Sequence, residues 1–191
     1  MNNDISRAIQ KRKAQKRMNL INLSMDSAVE WVLSIMLIKL HDRYGFGRRR
    51  FPKFIDTWHE VNDTDDIDLV KNWMAEAESN GLDIRKNMEF GERIQKCITG
   101  NKKDRPLIVH TRDLAAGAVI VNMHTLIKEF GWRKKRVHDL QVLINDDSYA
   151  LKRRVITIWE IMKTLETECD VHCDLLSEYE KEFGPVRFGP F

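Results

Sequence analysis

The chain has 191 residues, enough for one compact domain or two very small ones, with 42% hydrophobic and 32% charged residues and a net charge of +3. Apolar residues in periodic clusters argue against disorder, and three cysteines, Cys97, Cys169 and Cys173, are too few for a disulfide framework. The charge is segregated: residues 1–17 hold six bases against one acid, while residues 54–92 hold eleven acids against three bases and residues 160–182 hold eight acids against two.

Residues 1–26 read as a basic helix or mobile arm. Lys11, Arg12, Lys13, Lys16 and Arg17 are its candidate contacts to phosphates or to an acidic surface. No apolar segment of signal-peptide type follows them. Ser27 and Glu30 have capping-box spacing and predict a helix start at Ser27. The apolar run at 28–40 is interrupted by Glu30 and Lys39, too short a run to span a bilayer. A cytoplasmic protein with no membrane contact is therefore expected.

Gly45 ends that helix, and Arg48–Arg50 open the next, whose apolar stripe is Phe51, Phe54, Ile55 and Trp58. A third helix is expected from about Thr64, with Asp65 and Asp66 in its first turn and Asn80-Gly81 as its stop. Residues 86–99 predict a helix ended by Gly100, and residues 101–106 a linker. Asp113 can cap a helix over 114–129 that stops at Gly131. Arg133–Arg136 start another, with Val137, Leu140, Leu143 and Ile144 inward, and a further helix carries Val155, Ile156 and Trp159. A short acidic helix follows Asp174, and the Gly-Pro tail is extended.

An offset of 86 residues superposes Tyr44-Gly45-Phe46 on Phe130-Gly131-Trp132, Arg50 on Arg136 and Trp73 on Trp159. The fold predicted is all-α: two tandem, related three-helix modules packed as a helical bundle, at 27–84 and 113–171. The basic segment 1–26 precedes them, a connecting helix and linker occupy 85–112, and a tail occupies 172–191.

Cations at a helix N-terminus oppose the macrodipole and call for compensation. Two sources are open. Arg50 and Arg136 can pair internally with Asp65, Asp66, Asp146 or Asp147. Arg48, Arg49, Lys134 and Lys135 can instead form an external phosphate or acidic-partner site, with Trp132 the aromatic placed to join them.

Leu40-His41-Asp42-Arg43-Tyr44-Gly45-Phe46-Gly47-Arg48-Arg49-Arg50 and Gly81-Leu82-Asp83-Ile84 resemble a pattern in small proteins encoded by phages and prophages of Gram-positive bacteria. The likeness covers residues 28–84 well and 114–171 weakly, since Arg133 stands where Gly47 stands in the first copy. It implies a mobile-element origin and no particular reaction.

Motifs for catalysis are sparse. The sequence has no P-loop, dinucleotide fingerprint, zincin or nucleophile-elbow motif. Cys169, His172 and Cys173 lack the second half of a zinc site. His41-Asp42 and His138-Asp139 are His-Asp pairs of the kind found in HD-type metal phosphohydrolases, at non-equivalent repeat positions. No catalytic residue, metal or cofactor is expected. The reading is a non-catalytic accessory protein that binds a host protein or nucleoprotein, an inhibitor of bacterial defence of the anti-CRISPR kind. The alternatives are direct DNA or RNA binding and, remotely, an HD-type hydrolase. A homodimer is open to either binding mode.

Overall fold

The computed structural model describes residues 2–62 and 66–187, which form eight α-helices and no strand. They are α1 (Asn2–Tyr44), α2 (Phe51–Asn62), α3 (Ile67–Ser79), α4 (Ile84–Thr99), α5 (Arg105–Phe130), α6 (Lys134–Lys152), α7 (Ile158–Cys169) and α8 (Asp174–Phe183).

The two long helices organise the rest. In α1 the buried positions Ile21, Ser24, Ala28 and Val32 form one stripe, which broadens to Ile35, Met36, Leu37, Ile38 and Leu40 as neighbours close around it. In α5, Ala115, Ala116 and Ala118 keep the helix thin where others cross it. A side chain at Gly91 of α4 would lie 2.7 Å from the Arg112 carbonyl oxygen, so only glycine fits that crossing.

The helices α1 and α5 run side by side in the same direction. At the start of α5, Asp104 accepts two hydrogen bonds from Arg17 of α1, at 2.6 and 2.8 Å. At their ends Tyr44 meets Trp132, with ring centroids 4.7 Å apart. Shorter helices pack against both. Trp73 of α3 stacks on His124 of α5 at 4.8 Å, while Trp159 of α7 meets Trp31 of α1 edge to face at 6.3 Å. Lys53 and Thr57 of α2 both engage Glu129 of α5.

Several boundaries differ from the sequence expectation. Ser27 caps nothing: α1 continues through it, and its hydroxyl donates to the Leu23 carbonyl one turn back. Asp113 likewise lies inside α5 beside Arg112, and Asp104 is the cap, accepting from the Leu107 amide. Pro106 falls in the first turn of α5, where its missing N–H costs nothing. Thr64 and Asp65 lie outside the described residues, and α3 is capped by Asp66. Val155 is 63% exposed in the turn before α7. The N-terminal segment is a helical continuation of α1, pinned at Arg17.

One window of α1 is long and apolar enough, by composition, to cross a membrane, contrary to the reading of residues 28–40 as too short. Half of that window is buried inside the protein, as in a core helix.

Candidate functional site

Both long helices end in the same way. Gly45 (φ 64°) and Gly131 (φ 63°) take the left-handed conformation that closes a helix. Their amides return to His41 and Ile127 carbonyls at 3.2 and 3.1 Å. The next amides, of Phe46 and Trp132, return to Leu40 and Leu126 at 3.0 and 3.3 Å. His41 fastens the first turn further, its Nδ1–H donating to the Phe46 carbonyl at 2.8 Å.

The four aromatic side chains of the two turns lock together. Tyr44 packs on Trp132 at 4.7 Å with 52° between rings, and Phe130 packs on Phe46 at 4.9 Å with 59°. Phe46 and Trp132 meet edge to face, the favourable approach for opposed ring quadrupoles. An offset of 86 residues exchanges the first two contacts and returns the third to itself. Trp132 is only 2% exposed. It is therefore the wedge between the turns, and its proposed role as a surface contact is corrected.

Around this base lie the cations. Arg48, Arg49, Arg50, Arg133, Lys134, Lys135 and Arg136 are all exposed. Arg50 donates to the Tyr44 carbonyl at 3.1 Å, and its guanidinium sits 5.4 Å from the Phe46 ring centre. Arg136 sits 5.9 Å from the Trp132 ring centre. Neither makes an ion pair with a described carboxylate, so the expected internal pairs of these two arginines are corrected. The backbone and the ring faces already occupy them. Of the acids considered, Asp66 caps α3, Asp147 pairs with Lys39 at 2.9 Å, and Asp65 lies outside the described residues.

None of the seven cations has a described carboxylate partner, whereas Lys39, Lys53, Lys96 and Lys163 in the body all do. The cap position of α6 is Arg133, whose side chain makes no capping hydrogen bond and turns instead to the Trp132 carbonyl at 3.0 Å. The first amides of α6 thus point towards this end with no side-chain oxygen from their cap residue.

Each turn is braced by the far end of the other half. The α3–α4 turn lies against α6: a Cβ at Gly81 would lie 3.0 Å from the Lys134 carbonyl oxygen, and Gln141 clasps the Asp83 backbone with hydrogen bonds of 2.9 and 2.8 Å. Reciprocally, Arg48, Phe51, Pro52 and Ile55 share a small hollow with Cys169, Asp170 and Val171. Arg48 and Lys134 are 86 residues apart.

Of the other sequence candidates, Lys11, Arg12, Lys13 and Lys16 are exposed along the first part of α1, and Arg17 is committed to Asp104. The His-Asp pairs stay apart in role. His41 braces its own turn and lies 3.4 Å from Glu168, while His138 is exposed. Cys173 is buried, and burial beside Glu30 pushes its thiol up to about 12, so it is protonated at neutral pH. His172 faces Glu166 and Asp174. Among the described residues no three His, Cys, Asp or Glu side chains are grouped to hold a metal.

Two grooves were not foreseen from sequence. One, of about 430 Å³, lies between α1, α2 and the start of α8, with Glu30, Trp58 and Cys173 in its wall. Burial raises the Glu30 carboxyl above its usual range, although the Leu175 amide donates to it. The other, of about 600 Å³, lies between α1, α4 and the α6–α7 turn. No local spacing signals either, because each draws on segments far apart in the chain. Comparison with protein-family models, with curated proteins and with solved structures returned no match.

Proposed function

We propose that this protein is a non-catalytic binder of a nucleic-acid backbone, and that the end where the two turns meet is its contact surface. The observation that carries the reading is the set of seven exposed cations on one aromatic base, none with a described carboxylate partner. Cations at the starts of α2 and α6 oppose the helix dipoles, an expense of about 0.3–1 kcal/mol each. Arg50 and Arg136 offset part of it through carbonyl and ring contacts. An external phosphate would offset the rest, since helix N-termini and guanidinium or ammonium groups favour the same ligand.

On this reading the two halves are related modules of one helical bundle, facing each other about an approximate two-fold axis through Phe46 and Trp132. The paired ring contacts and matching helix ends support that arrangement, with each half contributing one basic turn. Arg48 and Arg49 then serve the same purpose as Lys134 and Lys135. Lys11, Arg12, Lys13 and Lys16, on the first part of α1, extend the positive surface.

The mobile-element resemblance adds a second reading: an inhibitor that occupies a nucleic-acid-binding protein of host defence in the bacterial cytoplasm. Exposed Asp174, Glu178 and Glu182 on the short helix α8 favour it, as a row of acids can stand in for phosphates.

Binding of labelled duplex and single-stranded oligonucleotides, followed by fluorescence anisotropy across a salt series, tests the first reading. Affinity should fall steeply with salt and be abolished by the quadruple change Arg48→Glu, Arg49→Glu, Lys134→Glu and Lys135→Glu. Binding that survives the quadruple change refutes this surface. Pull-down from host lysate, with and without nuclease, separates the two readings: a discrete protein retained after nuclease moves the assignment to the inhibitor.

A further inference from the structure

The groove of about 600 Å³ lies away from both turns and has its own chemistry. Its floor holds the half-buried indoles of Trp31 and Trp159, and its rim holds Lys96, Lys152 and Arg154. We propose that this groove is a nucleotide site, taking one base against the indoles and its phosphate on the rim cations.

Three observations carry it. The first is charge: Lys152 and Arg154 make no ion pair with a described carboxylate, and Lys96 is shared only with Glu92 on its own helix. The second is the backbone. Arg154 has φ 58°, the left-handed region, at the end of α6. Elsewhere among the described residues positive φ is taken by Gly45, Gly81, Gly100, Gly131 and Gly184 and by Asp170, whose short polar side chain tolerates that region better than a long one does. A long cationic side chain is held at a position glycine would fill without strain, and there it borders the groove. The third is the aromatic floor. Tyr179 stacks on Trp159 at 4.2 Å and Trp31 meets it edge-on, so the indole is fixed before any ligand arrives. Base–indole stacking tolerates any base, and the groove's size lies in the usual range for small-molecule sites.

The nucleotide could be free or the phosphorylated end of a strand, and these sources can be separated. Adenosine 5′-monophosphate, ribose 5-phosphate and a 5′-phosphorylated oligonucleotide would each be titrated calorimetrically into the full chain. The oligonucleotide would also be titrated into the quadruple turn variant, so that binding at the turns does not contribute. The discriminating substitution is Arg154→Gly, which removes the cation while relaxing the backbone and should leave thermal stability unchanged or raised. Adenosine monophosphate should bind saturably, ribose 5-phosphate at least about tenfold more weakly, and Arg154→Gly should cost about tenfold in affinity. Arg154-sensitive binding of the oligonucleotide alone, in the turn variant, would support the site with a strand end as its ligand. The proposal is overturned if neither nucleotide source binds, if ribose 5-phosphate binds as tightly as a binding adenosine monophosphate, or if Arg154→Gly leaves affinity unchanged.

Discussion

Phe46 and Trp132 meet edge to face, with ring centroids 6.3 Å apart and planes at 85°, at positions 86 residues apart in the chain. The same offset of 86 residues relates Tyr44 to Phe130 and Phe46 to Trp132, so the ring contacts Tyr44–Trp132 and Phe130–Phe46 correspond under it. A glycine closes each long helix, and the aromatic after it turns inward against its counterpart. The basic residues that follow are left at the surface because the inward position is already filled.

Truncation of this wedge is expected to act on stability. Trp132→Ala and Phe46→Ala each remove a ring that is almost completely buried and should cost about 3–5 kcal/mol. Chemical denaturation would measure both. A cycle between Tyr44→Leu and Trp132→Leu should show a coupling of about 0.5–1.5 kcal/mol, the usual range for a ring pair. Additive losses would mean that the 4.7 Å contact contributes nothing beyond burial.

The basic turns make a separable prediction. If both contact phosphates of duplex DNA, each neutralised cation contributes about 0.9 to the slope of log affinity against log salt. Changing Arg48 and Arg49 to Gln should then lower the slope by the same amount as changing Lys134 and Lys135. Anisotropy titrations at several salt concentrations would show it. Loss confined to one pair would leave the other turn as a solvated surface.

The α4–α5 crossing depends on Gly91. Its Cβ in an alanine variant would lie 2.7 Å from a backbone oxygen and 3.2 Å from the Ala116 side chain. Backbone cannot swing aside as a side-chain end can. Gly91→Ala should therefore destabilise by about 1–3 kcal/mol, although alanine is the better helix former. A thermal melt showing stabilisation would mean that the two helices separate freely.

The sequence revealed helix ends better than helix starts. Stops at Gly45, Asn80-Gly81, Gly100 and Gly131 were legible because positive φ singles out glycine locally. The starts at Ser27 and Asp113 misled, since a serine or aspartate inside a helix has the same local spacing as a cap. What decides is whether helix precedes it, and for Ser27 and Asp113 it does. At the site, the cations of both turns were readable as charge runs. That Trp132 faces inward was not, because its burial comes from Tyr44 and Phe46, far away in the chain. The arginine–carboxylate pairs failed for a similar reason: Arg50 is taken up by the Tyr44 carbonyl and the Phe46 ring and Arg136 by the Trp132 ring, contacts that no local spacing announces.

The half-buried carboxyl of Glu30 gives a pH-dependent test. Burial raises it, and the negative charges of Asp174 and Glu178 add to that, against the hydrogen bond from Leu175. The folded state thus holds this proton more tightly than the unfolded chain. Below the unfolded value, near 4.3, both states are protonated and the group is neutral in its effect. As pH rises through the unfolded and then the folded value, the charged form must be accommodated in the groove wall, and stability falls. Glu30→Gln keeps an oxygen to accept from the Leu175 amide and removes the charge. The variant should equal the parent protein at pH about 4 and exceed it at pH about 7, with the gap opening between. Melting temperatures across that range would measure it. A gap of constant size at every pH would show that Glu30 acts through shape or hydrogen bonding, not through its charge.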